Sequence, residues 1–435
     1  MARFKKTPPE IFPVELTVTH QGRGGDGVAM HEDQTLFVPF ALPGEQISAT
    51  VTRHPKFGSS VKLDKVHNEA AHRIAPACAH FTVCGGCALQ HMNAESYGAY
   101  KVGLLKHEFE RAELEYETML PLASSPPGSR RRAVFSGRKL RDGKIAFGFN
   151  ERGANWLVDL KECHTVMPAI EQIVPHLRQL LNDILQPSDK TDIAVTWFPE
   201  GLDIVLVGLP RLEWKDRELL AEFAATHKVA RLSVRARKVK DREPIYQSSK
   251  PSCTFGSTIV HPPAGSFLQA TLEGEAAMVK AVRDALQKYA PEAKMFADLF
   301  CGSGTFSGVL ADCHPKGGHV LSVEFEGESV QTLANAKNPR IFTRAQDLMG
   351  DPLLPAELNT RDVVLIDPPR AGCKTQAEEL AKSKVPLVIS ISCNPETFAR
   401  DAKILVEGGY TLREVTPVDQ FLWSPHLETV GIFTR

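Results

Sequence analysis

The chain has 435 residues, of which 43% are hydrophobic and 24% are charged. This composition is typical of an ordinary globular protein, and the length is sufficient for two or three domains. The formal net charge of −1 argues against a uniformly basic protein, although only local clusters of charge matter for a phosphate-containing partner.

The sequence disfavours both membrane insertion and secretion. No apolar run approaches the roughly 20 residues that a membrane-spanning helix needs. The basic start of the chain, residues 1–9, lacks the apolar core of a signal peptide. The nine cysteines are an odd number with uneven spacing, which does not indicate a disulfide framework. We therefore expect a cytoplasmic protein that makes no contact with membranes.

Residues 1–70 are predicted to form a small all-β module. Val14–His20 alternates apolar and polar residues, which is the pattern of a half-buried strand. Further short strands are expected at residues 36–40, 46–53 and 60–66. Several short strands in about sixty residues favour a small barrel, on which basic and aromatic side chains could bind a single strand of nucleic acid. The candidate contacts are Arg23, Phe37, Phe40 and Lys56. A barrel used only for packing is the alternative.

Three cysteines, Cys78, Cys84 and Cys87, lie close together in the sequence. Thiolates at such spacing are metal ligands, and the two glycines between Cys84 and Cys87 allow a tight turn. A closed site needs a fourth ligand, for which Cys163 is the best candidate. Zinc and a [4Fe-4S] cluster are both compatible with four thiolates. The alternative is three unrelated buried cysteines.

Residues 71–262 are predicted to form a central α/β domain. A helix is expected at residues 97–114, and strands alternate with helices after the linker at 124–128. Basic residues cluster at 130–144 and 231–240, where they either contact RNA phosphates or form solvated faces. The tryptophans expected in the core are Trp156, Trp197 and Trp214.

The stretch Ala297–Gly308, ADLFCGSGTFSG, organises the last third of the chain. Apolar residues lead into Gly302 and Gly304, and a helix-like pattern follows. This order is typical of a strand, a tight turn and a helix in a nucleotide-binding unit, although Gly308 lies one residue too far for the dinucleotide fingerprint. The next strand, at residues 318–324, ends in Glu324, where an acid can accept both ribose hydroxyls of a nucleoside.

Two more apolar strands of this region end in chemically active residues. Residues 362–370 contain a strand that ends in Asp367 and two prolines, and residues 387–395 contain a strand that ends at Cys393. In open parallel sheets, ligands bind at the carboxyl ends of the strands. We therefore expect the glycine loop, Glu324, Asp367 and Cys393 to converge on one edge.

Four segments, DLFCGSGTF, DPPRAG, SCNPETFARD and PHLETV, together resemble the S-adenosylmethionine-dependent RNA 5-methyluridine methyltransferases. The resemblance runs through nearly the whole chain. It implies an α/β Rossmann-like class I methyltransferase domain at 263–435, preceded by a helix near 95–117 that packs on it. The segments GRGGDGVA and FVPFALPGE, within 1–70, resemble the TRAM domain, an OB-like RNA-binding module.

The same resemblance implies two bound groups and their ligands. The pattern CxHFxxCGGC is similar to that of the cluster-bearing members, so a [4Fe-4S] cluster is expected in the domain at 71–262. Its ligands are Cys78, Cys84, Cys87 and Cys163. The residues expected to contact S-adenosyl-L-methionine are Gln269, Phe300, Thr305, Glu324, Asp347 and Asp367. Thr271 and Thr305 stand where the family often has asparagine.

The expected chemistry needs a nucleophile and a base. Cys393 is expected to add to C6 of uracil, which makes C5 nucleophilic, and Glu428 is expected to remove the C5 proton after methylation. The RNA is expected to be 23S rRNA, because bacterial members with a cluster and a TRAM domain act mostly on large-subunit rRNA. No protein partner is implied.

Four alternatives stay open from the sequence. A tRNA uridine-C5 methyltransferase would share the chemistry. A non-catalytic RNA-binding ribosome-assembly factor would not need Cys393 and Glu428, which are both present. A cytosine-C5 enzyme would have Pro-Cys or Thr-Cys in place of Ser-Cys-Asn-Pro. An iron-sulfur redox protein would not need the complete set of methyl-transfer motifs.

Overall fold

The computed structural model describes residues 8–54, 58–209, 212–238, 241–313 and 318–435. Lys56 and Lys240, two basic residues considered above for RNA contacts, lie outside these ranges. The chain divides into two units. One unit contains the residues up to Leu104 together with Asn150–Asn155 and Trp423–Pro425, and the other contains Leu105–Phe149, Trp156–Leu422 and His426–Arg435.

The first unit is built on a five-stranded antiparallel sheet with the strand order β3-β2-β1-β4-β5. The strands are β1 (Glu10–Gln21), β2 (Gly27–His31), β3 (Gln34–Val38), β4 (Gln46–His54) and β5 (Gly58–Asn68). Alternate residues of β1, namely Val14, Leu16 and Val18, are buried, as the period of two predicts. The short β2 was not expected, because it begins at a glycine that the sequence places in a turn.

Helix α1 (Ala94–Arg111) begins in the first unit and ends in the second. It begins after Asn93, whose side-chain oxygen accepts a hydrogen bond from the Ser96 amide at 2.9 Å. At its other end, Leu105 and Phe109 join the hydrophobic core of the second unit. The Phe109 ring stacks on Phe398 with the ring centroids 5.8 Å apart. Two short strands follow, β6 (Thr118–Met119) and β7 (Ala123–Ser124).

A six-stranded sheet with the order β13-β12-β11-β10-β8-β9 occupies the middle of the second unit. Its strands are β8 (Arg132–Lys139), β9 (Ile145–Gly148), β10 (Lys190–Phe198), β11 (Gly201–Val207), β12 (Val229–Arg235) and β13 (Glu243–Gln247). Helices α2 (Pro168–Ile184) and α3 (Trp214–Thr226) contribute Leu177, Leu181 and Leu220 to a core with Phe135 and Ile204.

The expectation that the three tryptophans lie in the core is wrong for two of them. Trp197 packs against the core, but Trp156 is 69% exposed and Trp214 is 75% exposed. Trp214 is the first residue of α3, about two and a half turns before Phe223, so it lies on the face opposite the buried Phe223. The apolar character of these side chains was therefore a poor guide to their burial.

The hairpin of β14 (Cys253–Phe255) and β15 (Thr258–Val260) precedes a nine-stranded sheet. Its main path is β18-β17-β16-β19-β20-β22-β21-β6, and β7 also pairs with β21. The strands introduced here are β16 (Met295–Leu299), β17 (His319–Glu324), β18 (Ile341–Ala345), β19 (Val363–Ile366), β20 (Leu387–Ser392), β21 (Thr411–Asp419) and β22 (Glu428–Thr434). Strands β16 to β20 run parallel, whereas β22 runs antiparallel to both β20 and β21.

Helices cover both faces of this sheet, so its strands are apolar on both sides. The helices are α4 (Leu272–Tyr289), α5 (Ser307–Asp312), α6 (Gly327–Asn335), α7 (Pro355–Leu358), α8 (Lys374–Lys382) and α9 (Pro395–Glu407). Leu299 packs into a core with Phe398 of α9, whereas Phe296 packs into another with Met278 of α4. Within the described ranges, no helix has both the length and the apolar character of a membrane span.

Candidate active site

The residues that the sequence expects at one sheet edge do lie there. Asp367 follows the end of β19, and Cys393 follows the end of the neighbouring parallel strand β20. Glu428 is the first residue of the antiparallel strand β22, in which Thr429 faces Ser392 of β20. The next step in that register brings Cys393 opposite Glu428. The sheet thus brings a thiol and two carboxyl groups to the same edge.

The loop that carries Cys393 is fixed by the two residues that follow it. Asn394 is the N-cap of α9, and its side-chain oxygen accepts a hydrogen bond from the Glu396 amide at 3.3 Å. Pro395 occupies the first turn of the helix, where a missing N–H costs nothing. The Asn394 side-chain amide also donates to the Arg370 carbonyl at 3.3 Å, which ties the loop to the one after β19. The half-buried thiol is therefore held between a strand end and a helix start.

The electrostatic setting of Cys393 favours the neutral thiol. Burial and the negative charges of Glu428 and Asp367 raise the pKa of Cys393 to about 11, and the positive charge of Arg370 acts in the opposite direction. At neutral pH the side chain is thus a thiol. Forming the nucleophilic thiolate requires a change that accompanies substrate binding or a base that accepts the proton.

A continuous chain of hydrogen bonds links the two carboxyl groups through two glutamines. Gln269 donates from Nε2 to Oδ2 of Asp367 at 3.3 Å. Gln420 donates from Nε2 to Oε1 of Gln269 at 2.8 Å and to Oε1 of Glu428 at 2.9 Å. Gln269, Gln420 and Glu428 are each at most 4% exposed. The orientation of each amide is therefore determined by neighbours within the protein.

The two carboxyl groups linked by these hydrogen bonds, Asp367 and Glu428, both titrate near neutrality. Burial and the charge of Asp367 raise the pKa of Glu428 to about 8, against the hydrogen bond from Gln420, which lowers it. Burial also raises the pKa of Asp367 to about 7, against its hydrogen bond from Gln269. A carboxyl group with such a pKa can accept and release a proton at physiological pH.

The glycine loop after β16 has the conformation that its sequence predicts. Gly302 and Gly304 both have positive φ angles, and a Cβ on Gly304 would lie 2.5 Å from a side-chain carbon of Leu333. Phe300 also has a positive φ of 63°. Gly308 allows close packing, because a Cβ there would lie 2.0 Å from the Phe255 carbonyl oxygen. Thr305, half-buried, lies between the loop and α5.

Two expected cofactor residues lie at the end of β17 and just after β18. Glu324 ends β17 and accepts hydrogen bonds from the Gly302 amide at 3.0 Å and the Glu326 amide at 2.9 Å. Asp347 is exposed and accepts a hydrogen bond from the Met349 amide at 3.1 Å. Both carboxylates therefore lie at the carboxyl edge of the sheet, with Glu324 in contact with the glycine loop.

Thr271, which stands where the family often has asparagine, has a local structural role. It is the N-cap of α4, and its hydroxyl oxygen accepts a hydrogen bond from the Gly274 amide at 3.0 Å. The same hydroxyl lies 2.7 Å from Oγ of Ser125. Thr271 thus caps the helix that begins shortly after Gln269.

Asp298, the acid inside β16, is a fully buried carboxyl group close to the glycine loop, and the sequence did not single it out. Its Oδ2 accepts a hydrogen bond from Ser307 Oγ at 2.6 Å, and Ser307 in turn accepts one from Ser322 at 2.8 Å. Its Oδ1 is buried and has no hydrogen-bond partner among the described residues. Burial raises the pKa of Asp298 to about 7. An acid within the apolar run ahead of a glycine loop was the available signal.

The comparison with known proteins agrees with this geometry. The sequence profile of a family described as tRNA (Uracil-5-)-methyltransferase matches residues 256–435. An uncharacterized RNA methyltransferase of Caulobacter vibrioides is 39% identical, over 97% of this chain and 100% of that protein. The 23S rRNA (uracil(1939)-C(5))-methyltransferase RlmD of Shewanella piezotolerans is 31% identical, over 100% of this chain and 99% of that one. The family profile spans the segments that hold Cys393 and Glu428.

The chain belongs to the family of S-adenosylmethionine-dependent RNA uracil-C5 methyltransferases. A solved structure has the same fold. The Pyrococcus abyssi tRNA (uracil-54, C5)-methyltransferase, crystallised with S-adenosyl-L-homocysteine, superposes with a TM-score of 0.74 at 20% identity. The match covers 96% of this chain and 99% of that one. The C-terminal sheet of this enzyme is thus a methyltransferase fold, as expected.

The cysteines expected to hold a cluster lie in both units of the enzyme. Cys78, Cys84 and Cys87 belong to the first unit, and Cys163 belongs to the second. The His80 amide donates to Sγ of Cys78 and the Gly86 amide donates to Sγ of Cys84, each at 3.4 Å. Across the described ranges, no group of three or more His, Cys, Asp or Glu side chains is arranged to hold a metal ion. The four cysteines are thus present, but they do not form an assembled metal site in the described part of the chain.

Proposed function

We propose that this enzyme transfers a methyl group from S-adenosylmethionine to C5 of one uridine in 23S rRNA. The reaction would pass through a covalent bond between Cys393 and C6 of the uracil. The observation that carries the proposal is the arrangement of Cys393, Glu428 and Asp367 around one sheet edge beside the glycine loop. The choice of 23S rRNA is supported by the resemblance to the Shewanella enzyme over the whole chain.

The proposed mechanism assigns each bond change to a residue. Cys393 first loses its proton, and its thiolate sulfur forms a bond to C6, so that the electrons of the C5–C6 double bond move towards C5 and the O4 carbonyl. S-adenosylmethionine, when bound, supplies the methyl group that C5 accepts. Glu428 then removes the proton from C5, the C5–C6 double bond forms again, and the bond from C6 to Cys393 breaks. The pKa of about 8 for Glu428 makes that carboxylate a stronger base than a solvated one.

The residues around the glycine loop suit S-adenosylmethionine. The backbone turn at Gly302 and Gly304 leaves open space beside Gly302, because a Cβ there would meet no atom within 4 Å. Glu324 is positioned to accept ribose hydroxyl groups, and the buried, unpartnered Oδ1 of Asp298 is an acceptor near the start of the loop in the described structure. The other proposed contacts are Gln269, Phe300, Thr305, Asp347 and Asp367.

We extend the proposal to the N-terminal region as an RNA-binding TRAM domain, with domain boundaries near residues 70 and 262. The five-stranded sheet is consistent with an OB-like barrel, and Phe37 is 57% exposed on it. The ring of Phe40, unlike that of Phe37, is already in contact with other side chains. It packs against Phe81 at a centroid distance of 5.0 Å and lies beneath the Arg152 guanidinium. Phe37 and Arg23 are therefore the better candidates to contact unpaired bases and phosphates.

A [4Fe-4S] cluster bound by Cys78, Cys84, Cys87 and Cys163 is also part of the proposal. Its support is the spacing of the cysteines and the two amide groups directed at sulfur atoms, which stabilise thiolates. The cluster would have a structural role, joining Cys163 to the loop of the other three. A cytoplasmic location likewise stays a prediction from the cysteine content.

The test of the substrate is methylation of purified RNA with labelled S-adenosylmethionine. Unmodified 23S rRNA, 16S rRNA and tRNA transcripts are supplied separately, and the products are digested to nucleosides and separated. We expect 5-methyluridine in 23S rRNA alone, at one position. Labelled 5-methyluridine in tRNA alone would transfer the proposal to a tRNA substrate, and 5-methylcytidine would contradict the uracil chemistry.

A further inference from the structure

Gln420 is a buried amide whose hydrogen-bonding capacity is used on both sides. It follows β21 and is 2% exposed. Its Oε1 accepts a hydrogen bond from the Ala270 amide at 2.7 Å. Its Nε2 donates to Oε1 of Gln269 and to Oε1 of Glu428. Because a side-chain amide has two N–H donors at one nitrogen, both are committed to these two acceptors.

The Ala270 amide determines which way the Gln420 side chain faces. A rotation of the Gln420 amide by half a turn would direct its NH2 group at the Ala270 N–H, and two donors would face each other. The same rotation would direct its oxygen at two acceptor oxygens. Both changes leave buried polar groups without hydrogen bonds, which is costly. Glu428 Oε1 therefore always receives an N–H.

This arrangement distinguishes the two oxygens of the Glu428 carboxyl group. Oε1 accepts a hydrogen bond from Gln420, which favours Oε2 as the oxygen that takes up a proton. We propose that Gln420 is a positioning residue, which holds Oε1 of Glu428 and thereby assigns removal of the C5 proton to Oε2. The inference rests on the proposed function. The proton moves from C5 to Oε2, the C–H electron pair restores the C5–C6 double bond, and the Cys393 sulfur leaves C6.

The charges around Glu428 give this role a measurable consequence. The titratable groups that face it are Asp367, after β19, and Cys393, after β20, and Arg370 in turn acts on Cys393. Burial and Asp367 raise the pKa of Glu428, and the Gln420 hydrogen bond is the interaction that lowers it. Loss of that bond should raise the pKa further, so that less of the basic form is present at pH 7.

The test follows two labels in single turnovers with RNA that carries tritium at C5 of uridine. Methyl incorporation reports the formation of the carbon–carbon bond, and tritium release reports removal of the C5 proton. In Gln420→Met, which keeps the length but has no donor, we expect tritium release at pH 7 to be about tenfold slower, with methyl incorporation within a few-fold of wild type. In the pH profile of the tritium-release rate, the acid limb should shift to higher pH by about one unit.

Two further variants make the result specific. Gln376→Met removes another buried glutamine, whose amide bonds only the backbone of Leu353 in the described structure, and it should keep the wild-type pH profile. Gln420→Glu has the same shape as the native side chain, and its added carboxyl should move the limb further than Gln420→Met does. Equal losses of both labels with an unshifted limb would overturn the inference. Failure of the wild type to release tritium during methylation would instead overturn the proposed function.

Discussion

Ser392 faces Thr429 in the antiparallel pairing of β20 and β22. This register brings the thiol of Cys393 and the carboxyl of Glu428 to adjacent positions at the end of the sheet. Neither residue is near the other in the sequence. The pairing of the two strands thus brings the proposed nucleophile next to the proposed base.

Replacement of Glu428 by glutamine should block the last chemical step and spare the earlier ones. The amide cannot accept the C5 proton, so we expect multiple turnovers to fall by a factor of about 10³ or more. An RNA–protein complex that survives denaturation should accumulate with ordinary uridine. The complex is measured by its mobility on a denaturing gel. Glu407→Gln, a change on the exposed end of α9, serves as the matched control, and equal activity of the two variants would contradict the role of Glu428.

The rate at which the enzyme completes a turnover, releasing the C5 proton and free methylated RNA, should rise with pH between about 6 and 9. Burial and the charge of Asp367 raise the pKa of Glu428 to about 8, and burial raises that of Cys393 to about 11. Both groups act in their deprotonated forms, and a raised pKa means that these forms are lost on the acid side. Single-turnover rates at saturating RNA and S-adenosylmethionine measure the profile. A rate that is constant across this range would be inconsistent with these assignments.

The two glycines of the loop after β16 should tolerate alanine differently. In Gly304→Ala the new Cβ would lie 2.5 Å from Leu333 at a φ of +94°, whereas in Gly302→Ala it would meet no atom within 4 Å at +53°. Strain and clash together should cost Gly304→Ala about 2 kcal/mol or more of stability, and Gly302→Ala should lose less. Chemical denaturation and calorimetric titration with S-adenosylhomocysteine measure the two effects. A greater loss in Gly302→Ala would contradict this turn geometry.

Asp298 should make the stability of the ligand-free enzyme depend on pH. Burial raises its pKa to about 7, so its stabilising contribution is full below the unfolded pKa near 4 and is lost as pH rises through about 7. We expect Asp298→Asn to flatten the fall in Tm between about pH 4 and pH 7. The Ser307 hydroxyl can still donate to the asparagine oxygen. Tm is measured for wild type and variant across this pH range. The same dependence of Tm on pH in both proteins would refute the role of Asp298.

The cysteine loop should determine iron content. If Cys84 is a cluster ligand, Cys84→Ser should lose most bound iron and the visible absorbance of the anaerobically purified protein. Cys253→Ser, which changes a cysteine outside the proposed set, should keep both. Iron per protein chain and RNA affinity are measured for each. Full iron in Cys84→Ser would exclude Cys84 as a required ligand, and unchanged fold and RNA affinity after iron loss would exclude the structural role.

Much of the site could be predicted because it depends on local sequence patterns. Asp367 and Cys393 each follow an apolar strand, and the edge at which parallel strands end follows from the fold class. Gln420 could not be found this way, because its role depends on contacts with Gln269 and Ala270, which lie 151 and 150 residues away in the chain. Nothing in the local pattern around Gln420 indicates such contacts.

The fold was predictable to a similar extent and for similar reasons. The period of two in β1 is a local property, and the strand was expected within a few residues of its bounds. The exposure of Trp214 could not be predicted, because it depends on which face of α3 meets the six-stranded sheet. The short β2 depends on pairing with β1 and β3 for its definition, so its own five residues carry too little pattern.

The most direct test of the central claim is to trap the proposed bond between Cys393 and uracil. Wild type, Cys393→Ala and Cys313→Ala are each mixed with S-adenosylmethionine and RNA that contains 5-fluorouridine. Fluorine replaces the C5 hydrogen of this nucleotide, so the base has no C5 proton to remove and the adduct accumulates. We predict a denaturation-resistant complex in wild type and Cys313→Ala and none in Cys393→Ala. A complex that persists in Cys393→Ala, or its absence from a wild type that methylates ordinary RNA, would contradict the covalent mechanism.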